Sequence, residues 1–119
     1  HAYQMYRQTQ VSTASQGELL LMLFDGAIRF ARQAQEHMAE GKLEEASKKL
    51  IRAQDIVDEL ILALDLSVGE IAESLQQLYT YIHDLLVQAN VKKEPEVVDE
   101  ALHMLSELRE TWGQVVEVK

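Results

Sequence analysis

Apolar residues recur at alternating spacings of three and four along four separate stretches of the chain. The first two stretches are Leu20, Phe24, Ala27, Ala31, Ala34, Met38 and then Leu43, Ala46, Leu50, Ala53, Val57, Leu60, Leu64. The last two are Ile71, Leu75, Leu78, Ile82, Leu85, Ala89 and then Val98, Ala101, Leu105, Leu108, Trp112, Val115. This spacing places side chains on one face of an α-helix. The pattern therefore predicts four helices of roughly 20 to 25 residues each, about 30 to 38 Å long.

Short breaks separate these stretches. Gly41 suits the left-handed position that follows a helix end, and Pro95 suits the first turn of the last helix. The other breaks fall at residues 65–69 and 91–94. Connections this short force consecutive helices to lie antiparallel. We predict an all-α fold, an antiparallel up-down four-helix bundle over residues 15–119, in a single domain of residues 1–119 that begins with a short leader.

Two helix starts share one capping pattern. Both Ser15-Gln16-Gly17-Glu18 and Ser67-Val68-Gly69-Glu70 place a serine three residues before a glutamate. The hydroxyl can accept a backbone N–H while the glutamate side chain reaches back, which is a capping box. The pattern predicts that the first and third helices begin at these sites.

Residues 1–14 form a leader that is too short to fold alone. Tyr3 and Tyr6 are spaced to share one face of a helical turn, and Val11 follows them. A helix this short is marginal in water and needs to dock on the bundle. The pattern is consistent with a permanent brace and with a displaceable lid.

The helices carry more apolar residues than the four seams require. A bundle core uses about two positions per heptad and one flanking column. We expect some of the additional residues to form a groove for a partner's amphipathic helix, with Leu62 and Met104 at least partly exposed. The alternative is a generous core with scattered surface apolar residues. The candidate groove residues are Leu21, Met22, Ile56, Leu62, Tyr79, Leu86, Leu102 and Met104. We interpret Gly26 as permitting a close helix approach or as giving a partner room.

Composition narrows the range of partners. Apolar residues make up 47% of the 119 residues and charged residues 26%, which is typical of a globular protein. The net charge of −9 argues against nucleic acid and anionic membrane as partners. The chain has no cysteine, and its longest apolar run, residues 19–24, is too short to span a membrane. These features exclude disulfides and favour a role without membrane insertion.

Candidate catalytic groups are sparse. Glu100 and His103 form a Glu-x-x-His motif, but a di-iron bundle needs a second copy, and both residues fall outside the helix seam. We therefore predict no metal and no cofactor. His83 lies beside a seam without the neighbouring residues typical of phosphotransfer domains.

One enzyme-class alternative remains from the residues. Arg29, Arg32 and Arg52 could line a small anionic pocket between the first two helices. A small all-helical enzyme would bury these arginines together, and a phosphotransfer domain would expose a reactive His83.

Three segments resemble the FliS family of flagellar secretion chaperones. They are TASQGELLLMLFDGAIRF at residues 13–30, LYTYIHDLLVQAN at 78–90 and LRETW at 108–112. The likeness runs from Tyr3 to about Val116. Family members more often carry proline at the position of Gln16 and tyrosine at that of Phe24, and both differences are mild.

The resemblance implies a cytoplasmic chaperone without enzymatic activity or a small-molecule substrate. It implies binding of the disordered C-terminal segment of flagellin, which prevents premature polymerisation, and delivery to the flagellar export gate. It also implies an N-terminal cap that moves when flagellin binds. In this chain the role in export-gate contact falls on Tyr3, with Tyr6 beside it.

Overall fold

The protein is an antiparallel bundle of four long helices. A computed structural model describes the backbone of residues 15–118 and the side chains of residues 15–116. The elements are α1 (Gln16–Ala39), α2 (Leu43–Leu62), a short 3₁₀ helix (Leu66–Val68), α3 (Glu70–Lys92) and α4 (Pro95–Val118). Packing joins α1 to α2, α2 to α3, α3 to α4, and α4 back to α1. This closed order of neighbours confirms the predicted fold class.

The turns use the residues that the sequence indicated, with one shift. Gly41 has a φ of 75° just after α1, and Pro95 begins α4, as predicted. The predicted break at 91–94 is narrower in the structure, because α3 continues through Lys92. Lys93 then adopts the left-handed conformation with a φ of 54°. Its ammonium group donates to the backbone and side-chain oxygens of Asn90 at 2.6 and 2.7 Å.

One of the two predicted capping boxes forms. The Ser15 hydroxyl accepts the Glu18 backbone N–H at 3.1 Å and lies 3.1 Å from the Glu18 carboxylate, to which it can donate. The second prediction is wrong, because Ser67 lies inside the 3₁₀ helix. Asp65 caps that turn by accepting from the Ser67 N–H at 3.0 Å. Gly69, at a φ of 98°, then leads into α3 without a side-chain cap.

The core lies along the predicted seams, but the buried face of α3 is rotated toward the series that begins at Ala72, although Ile82, Leu85 and Ala89 are buried as predicted. The pattern predicted Ile71 and Leu78 inside, whereas Ile71 is 76% exposed and Leu78 only partly buried. The fully buried α3 side chains include Tyr79, Ile82 and Leu86. Two overlapping series of apolar residues fit a helical face: residues 71, 75, 78, 82, 85 and 89, and residues 72, 75, 79, 82, 86 and 89. The spacing alone does not decide which series marks the centre of the buried face.

Two other seam residues are exposed because they lie at helix ends. Leu43, at the start of α2, and Val115, near the end of α4, are 47% and 45% exposed. In these terminal turns the apolar spacing continues, but among the described residues no neighbouring helix extends far enough to cover the side chains. The predicted burial of these two side chains is therefore wrong.

Candidate functional site

A concave groove lies between α1 and α2. It encloses a cavity of about 490 Å³. Met22 and Leu62 stand at its rim, 47% and 69% exposed, and Ile56 lies partly buried in its wall. We call this site the α1–α2 groove, and its apolar lining is Met22, Leu23, Gly26, Phe30, Ile56 and Leu62. Exposed methionine and leucine at the rim of a cavity are typical of a surface that binds another chain.

Gly26 brings the two walls of the groove together. It is buried, and a Cβ atom at this position would lie 3.1 Å from the Ile56 Cδ1 atom. That separation is tighter than ordinary van der Waals contact. The predicted role in close helix approach is confirmed, and the same residue lines the cavity.

Three cations surround one aromatic ring at one end of the groove. The guanidinium carbons of Arg29 and Arg52 lie 5.3 and 4.7 Å from the centroid of the Phe30 ring. The Lys49 ammonium lies 5.4 Å from the same centroid. Each distance falls within the range of cation–π attraction. Asp55 and Asp58 also line the groove, so its wall carries both signs of charge.

A second apolar surface lies at the end of the bundle where the described chain begins. Two cavities of about 220 and 300 Å³ share Leu20 and Trp112 in their walls. Val68 and Ile71 border the smaller cavity and are 68% and 76% exposed. We call this surface the end trough, and its main lining is Ser15, Gly17, Leu20, Leu60, Leu64, Val68, Ile71, Leu75, Tyr79, Trp112 and Val115.

A polar contact fixes the floor of the end trough. The Trp112 Nε1–H donates to the Tyr79 hydroxyl at 3.3 Å. The Tyr79 ring meets the Phe24 ring edge to face, with centroids 6.1 Å apart. Burial raises the pKa of the Tyr79 hydroxyl, and the hydrogen bond from Trp112 opposes that rise. Tyr79 thus remains a neutral core residue at physiological pH.

The structure brings three of the candidate groove residues together and places the others elsewhere. Met22, Ile56 and Leu62 line the α1–α2 groove. Met104 is partly buried in a shallow depression between α3 and α4, and Leu21 is partly buried on α1. The partial exposure predicted for Leu62 and Met104 is confirmed.

Three candidate groove residues belong to the core instead. Tyr79, Leu86 and Leu102 are 1%, 0% and 9% exposed, so the prediction that they line one groove with Met22, Ile56 and Leu62 is wrong. Tyr79 lies instead in the floor of the end trough. Rotation of the α3 face explains the first two, and a widened buried stripe on α4 explains Leu102. The leader candidates Tyr3, Tyr6 and Val11 lie outside the described residues.

The arginine pocket required by the enzyme alternative is not formed. Arg29, Arg32 and Arg52 are all exposed, so the prediction that they converge in a buried pocket is wrong. His83 is partly buried, with its Nε2 atom 3.3 Å from the Asp58 carboxylate across the α2–α3 interface. His83 therefore packs between α2 and α3. The phosphotransfer alternative predicted an exposed His83, and that prediction is wrong.

The Glu-x-x-His motif faces solvent. Glu100 accepts a hydrogen bond from the Tyr81 hydroxyl at 2.7 Å, and His103 lies 3.5 Å from Glu107. The predicted solvation of Glu100 and His103 is confirmed. Within residues 15–116, no group of three or more acidic or histidine side chains is arranged to hold a metal ion.

Sequence reasoning missed Phe30 and Trp112 as surface-forming residues. Trp112 fits the seam of α4, which predicts a core position, yet it lines both cavities of the end trough. Phe30 lies beside a seam with Arg29 next to it. The approach of Lys49 and Arg52 from another helix follows only from the packing of α1 on α2.

Comparison with known proteins places the chain in a family. A family model described as flagellar protein FliS matches residues 1–119. The chain belongs to the FliS family. The predicted resemblance is therefore confirmed, and the helical bundle is that of a flagellar chaperone family.

Several curated FliS proteins share about a third of their residues with this chain. Flagellar secretion chaperone FliS of Bacillus subtilis is 34% identical over 115 residues, which cover 97% of this chain and 86% of that protein. The Vibrio cholerae protein of the same name is 32% identical over 108 residues, covering 90% and 79%. The Salmonella typhimurium protein is 34% identical over 110 residues, covering 91% and 82%. These relatives are named as chaperones.

The helices of this FliS family member are amphipathic. Among the described residues, none of the helices is both long enough and apolar enough to cross a membrane. Their apolar residues serve the core, the α1–α2 groove and the end trough.

Proposed function

We propose that this protein is a cytosolic export chaperone for flagellin. It binds the C-terminal segment of flagellin, which is disordered when free, and prevents premature polymerisation. It then delivers the bound flagellin to the flagellar type III export gate. The protein acts by binding alone, without catalysis or a cofactor. Membership of the FliS family supports the export role, and the α1–α2 groove supports a guest that binds as an amphipathic helix.

One observation carries the proposal. Leu62 is 69% exposed and Met22 is 47% exposed, and both stand at the rim of a 490 Å³ cavity whose wall contains Ile56. Burying a leucine side chain contributes about 1.5 to 3 kcal/mol. A disordered guest loses conformational entropy when it folds, so it needs a continuous apolar surface to offset that loss. The α1–α2 groove supplies this surface.

We further propose that the leader, residues 1–14, acts as a lid on the end trough. The described chain begins at Ser15, which itself borders the trough together with Gly17 and Val115. The leader carries Tyr3, Tyr6 and Val11, whose apolar side chains suit this surface. In this proposal the guest displaces the lid, and Tyr3 with Tyr6 then becomes available to the export gate.

Lid displacement lowers the apparent affinity for a guest. If lid docking contributes about 1 to 2 kcal/mol, apparent binding falls roughly five- to thirty-fold. A guest with a large wrapped interface still binds after this loss of affinity, whereas a wrong partner with a weak contact no longer binds measurably. The lid therefore contributes to specificity as well as to protection of the apolar surface.

Calorimetric titration tests the chaperone function. The full chain is titrated with a synthetic peptide of the C-terminal segment of flagellin from the same organism, and a scrambled peptide of equal composition is the control. The expected result is saturable binding with a negative heat-capacity change and a gain in helical circular dichroism. Equal, weak binding of both peptides would contradict the proposal.

Deletion of residues 2–11 tests the lid. The truncated protein should keep its helical circular dichroism, bind more of an apolar-surface dye, and bind the flagellin peptide more tightly by roughly five- to thirty-fold. Unchanged dye binding together with unchanged affinity would show that the leader covers nothing.

A further inference from the structure

We propose that the α1–α2 groove selects a guest helix by the order of its charges. The guest places basic side chains at the Leu62 end of the groove and acidic side chains at the Phe30 end, with an apolar stripe between. This inference rests on the proposed function, and it adds the charge pattern and the direction of the guest segment. Its basis is the distribution of charge along α2 and α1.

Charge is segregated along the α2 wall of the groove. Lys49, beside Phe30, and Arg52 stand at the Phe30 end of the groove. Asp55, Asp58 and the buried Glu59 follow toward Leu62, and Asp58 also lies 3.3 Å from His83 on α3. On a helix, residues three apart are neighbours on the surface, so residues 49, 52, 55 and 58 form a row that winds around α2 by about 60° at each step. Along this row the charge changes from positive to negative within two turns.

The α1 wall reinforces the positive end. Arg29 holds its guanidinium over the same Phe30 ring that Lys49 and Arg52 approach. Three like charges within 5.4 Å of one ring centroid repel one another, and a guest carboxylate placed among them relieves that repulsion. The ring and the charges together suit an acidic side chain on an apolar helix face.

These cations stay without acidic partners although the chain is strongly acidic. Among the other described cations, Arg109 pairs with Asp25 at 2.8 Å and Lys48 with Glu45 at 3.8 Å, whereas Arg32, Lys92 and Lys93 form no ion pair. Among the residues that the structure describes, no carboxylate forms an ion pair with Arg29, Lys49 or Arg52. With 20 acidic residues against 11 basic ones, an unpaired positive cluster leaves its charge available to a partner.

The groove dimensions set the length of the guest segment. From Arg52 to Leu62 the α2 wall rises by about 15 Å, at 1.5 Å per residue. A guest helix along this wall uses about ten residues, or three turns. Its apolar side chains at i, i+3 or i+4, and i+7 meet Met22, Ile56 and Leu62, while its charged side chains meet the two ends.

Charge excludes the leader as the occupant of the whole groove. Residues 1–14 contain Arg7 but no aspartate or glutamate, so they offer no carboxylate to the cluster around Phe30. A second copy of this chain fits poorly as well, because two concave grooves facing each other leave both apolar floors uncovered. A separate helix with charges of both signs fits the groove at both ends.

Two synthetic peptides test the selection. Both have fourteen residues, the same leucine stripe, three lysines and three glutamates. In one the lysines and glutamates occupy opposite halves, and in the other they alternate. By fluorescence anisotropy at low salt, the segregated peptide should bind the full chain about tenfold more tightly, and 0.5 M salt should remove most of that difference. Equal affinities at low salt would overturn the inference.

The direction of binding is measured with a single label, since the chain has no cysteine. A fluorophore is attached to Ala63→Cys at the Leu62 end or to Lys48→Cys at the Phe30 end. A nitroxide on the lysine-rich end of the segregated peptide should quench the first label more strongly than the second. The opposite order of quenching would overturn the proposed direction.

Charge variants separate this inference from the chaperone function itself. Arg29→Glu with Arg52→Glu should weaken the segregated peptide about tenfold and the alternating peptide much less. Arg29→Gln with Arg52→Gln should have an intermediate effect, and circular dichroism checks the fold of both variants. If the flagellin peptide binds the wild type and all variants equally, the charge selection is wrong while the chaperone function stands.

The converse outcome is also distinguishable. Tight binding of the segregated peptide without binding of the flagellin peptide would overturn the proposed function and support the groove selection. Sedimentation of the free protein provides the last check. A wild-type dimer that Arg52→Glu dissociates would make a second copy the occupant and overturn the inference.

Discussion

Trp112 donates its indole N–H to the hydroxyl of Tyr79 across the α3–α4 interface, at 3.3 Å. Tyr79 is 1% exposed and packs edge to face on Phe24 from α1. One tyrosine thus joins three helices, and its polar atom is satisfied where water is excluded. The same pair forms part of the end trough, so the floor of this apolar surface is joined to the bundle core.

Removing the Tyr79 hydroxyl should destabilise the bundle. Tyr79→Phe leaves the Trp112 N–H without its acceptor, so we expect the free energy of unfolding to fall by about 0.5 to 1.5 kcal/mol. Urea unfolding followed by circular dichroism measures the change, and Trp112 fluorescence reports on the site because it is the only tryptophan. Tyr81→Phe is the matched control, since Tyr81 makes its hydrogen bond to Glu100 at an exposed position. An equal loss in both variants would show that the buried contact has no special role.

Stability should decline at alkaline pH partly through Tyr79. Burial raises the pKa of its hydroxyl in the folded protein above the ordinary value of about 10. Between the two pKa values the unfolded chain has lost this proton and the folded chain has kept it, so stability falls as pH rises. Well below pH 10 both states keep the proton, so the titration of Tyr79 does not lower the free energy of unfolding there.

The test compares wild type and Tyr79→Phe in urea at several pH values from 9 to 11.5. We expect a shallower decline above about pH 10 in the variant. Hydrogen bonding to Glu100 and the charge of its carboxylate raise the pKa of Tyr81 too, so Tyr81→Phe should remove a separate part of the decline. Identical slopes in wild type and Tyr79→Phe would contradict the assignment.

Gly26→Ala should stabilise the free protein and weaken guest binding. Alanine favours a helix interior over glycine by up to about 1 kcal/mol. The new Cβ would lie 3.1 Å from Ile56 Cδ1, a flexible side-chain end that can move into the adjoining cavity. We expect a higher urea midpoint together with weaker calorimetric binding of the flagellin peptide.

The double variant Gly26→Ala with Ile56→Val provides the control. Valine lacks the Cδ1 atom, so the double variant should recover part of the lost affinity. Unchanged affinity in Gly26→Ala would mean that the guest does not use this part of the α1–α2 groove.

If the leader is a lid on the end trough as proposed, Ile71 should account for part of the apolar surface that its deletion exposes. It is 76% exposed in the described structure and borders the end trough. In the protein lacking residues 2–11, Ile71→Asp should reduce binding of an apolar-surface dye relative to the same deletion alone. Lys92→Asp, at the far end of α3, is the control and should leave dye binding unchanged. Equal dye binding with and without Ile71→Asp would place the leader elsewhere.

The sequence was sufficient for the number, length and order of the helices. Apolar spacing and the turn residues Gly41 and Pro95 act locally, so a single sequence reveals them. The rotation of α3 was not predictable, because two overlapping apolar series point to neighbouring directions. Packing against the flanking helices buries Tyr79 and Leu86.

The candidate site was predicted in part. Met22, Ile56 and Leu62 carry a local signal, since each lies outside a seam that is already complete. The cluster around Phe30 depends on residues from two helices, and the end trough combines residues from all four long helices and the 3₁₀ helix. Contacts between different helices depend on tertiary packing, and the spacing of residues along one helix does not predict them.

The central claim is that the α1–α2 groove holds apolar surface for a guest chain. Calorimetric titration of the flagellin C-terminal peptide into wild type, Leu62→Glu and Val91→Glu tests it most directly. Leu62 and Val91 are 69% and 78% exposed and lie toward opposite ends of the bundle, so each variant adds one surface charge. The account predicts that Leu62→Glu binds about tenfold or more weakly, because it loses the burial of a leucine, while Val91→Glu binds as wild type does. Unchanged affinity in Leu62→Glu, with the fold intact by circular dichroism, would contradict it.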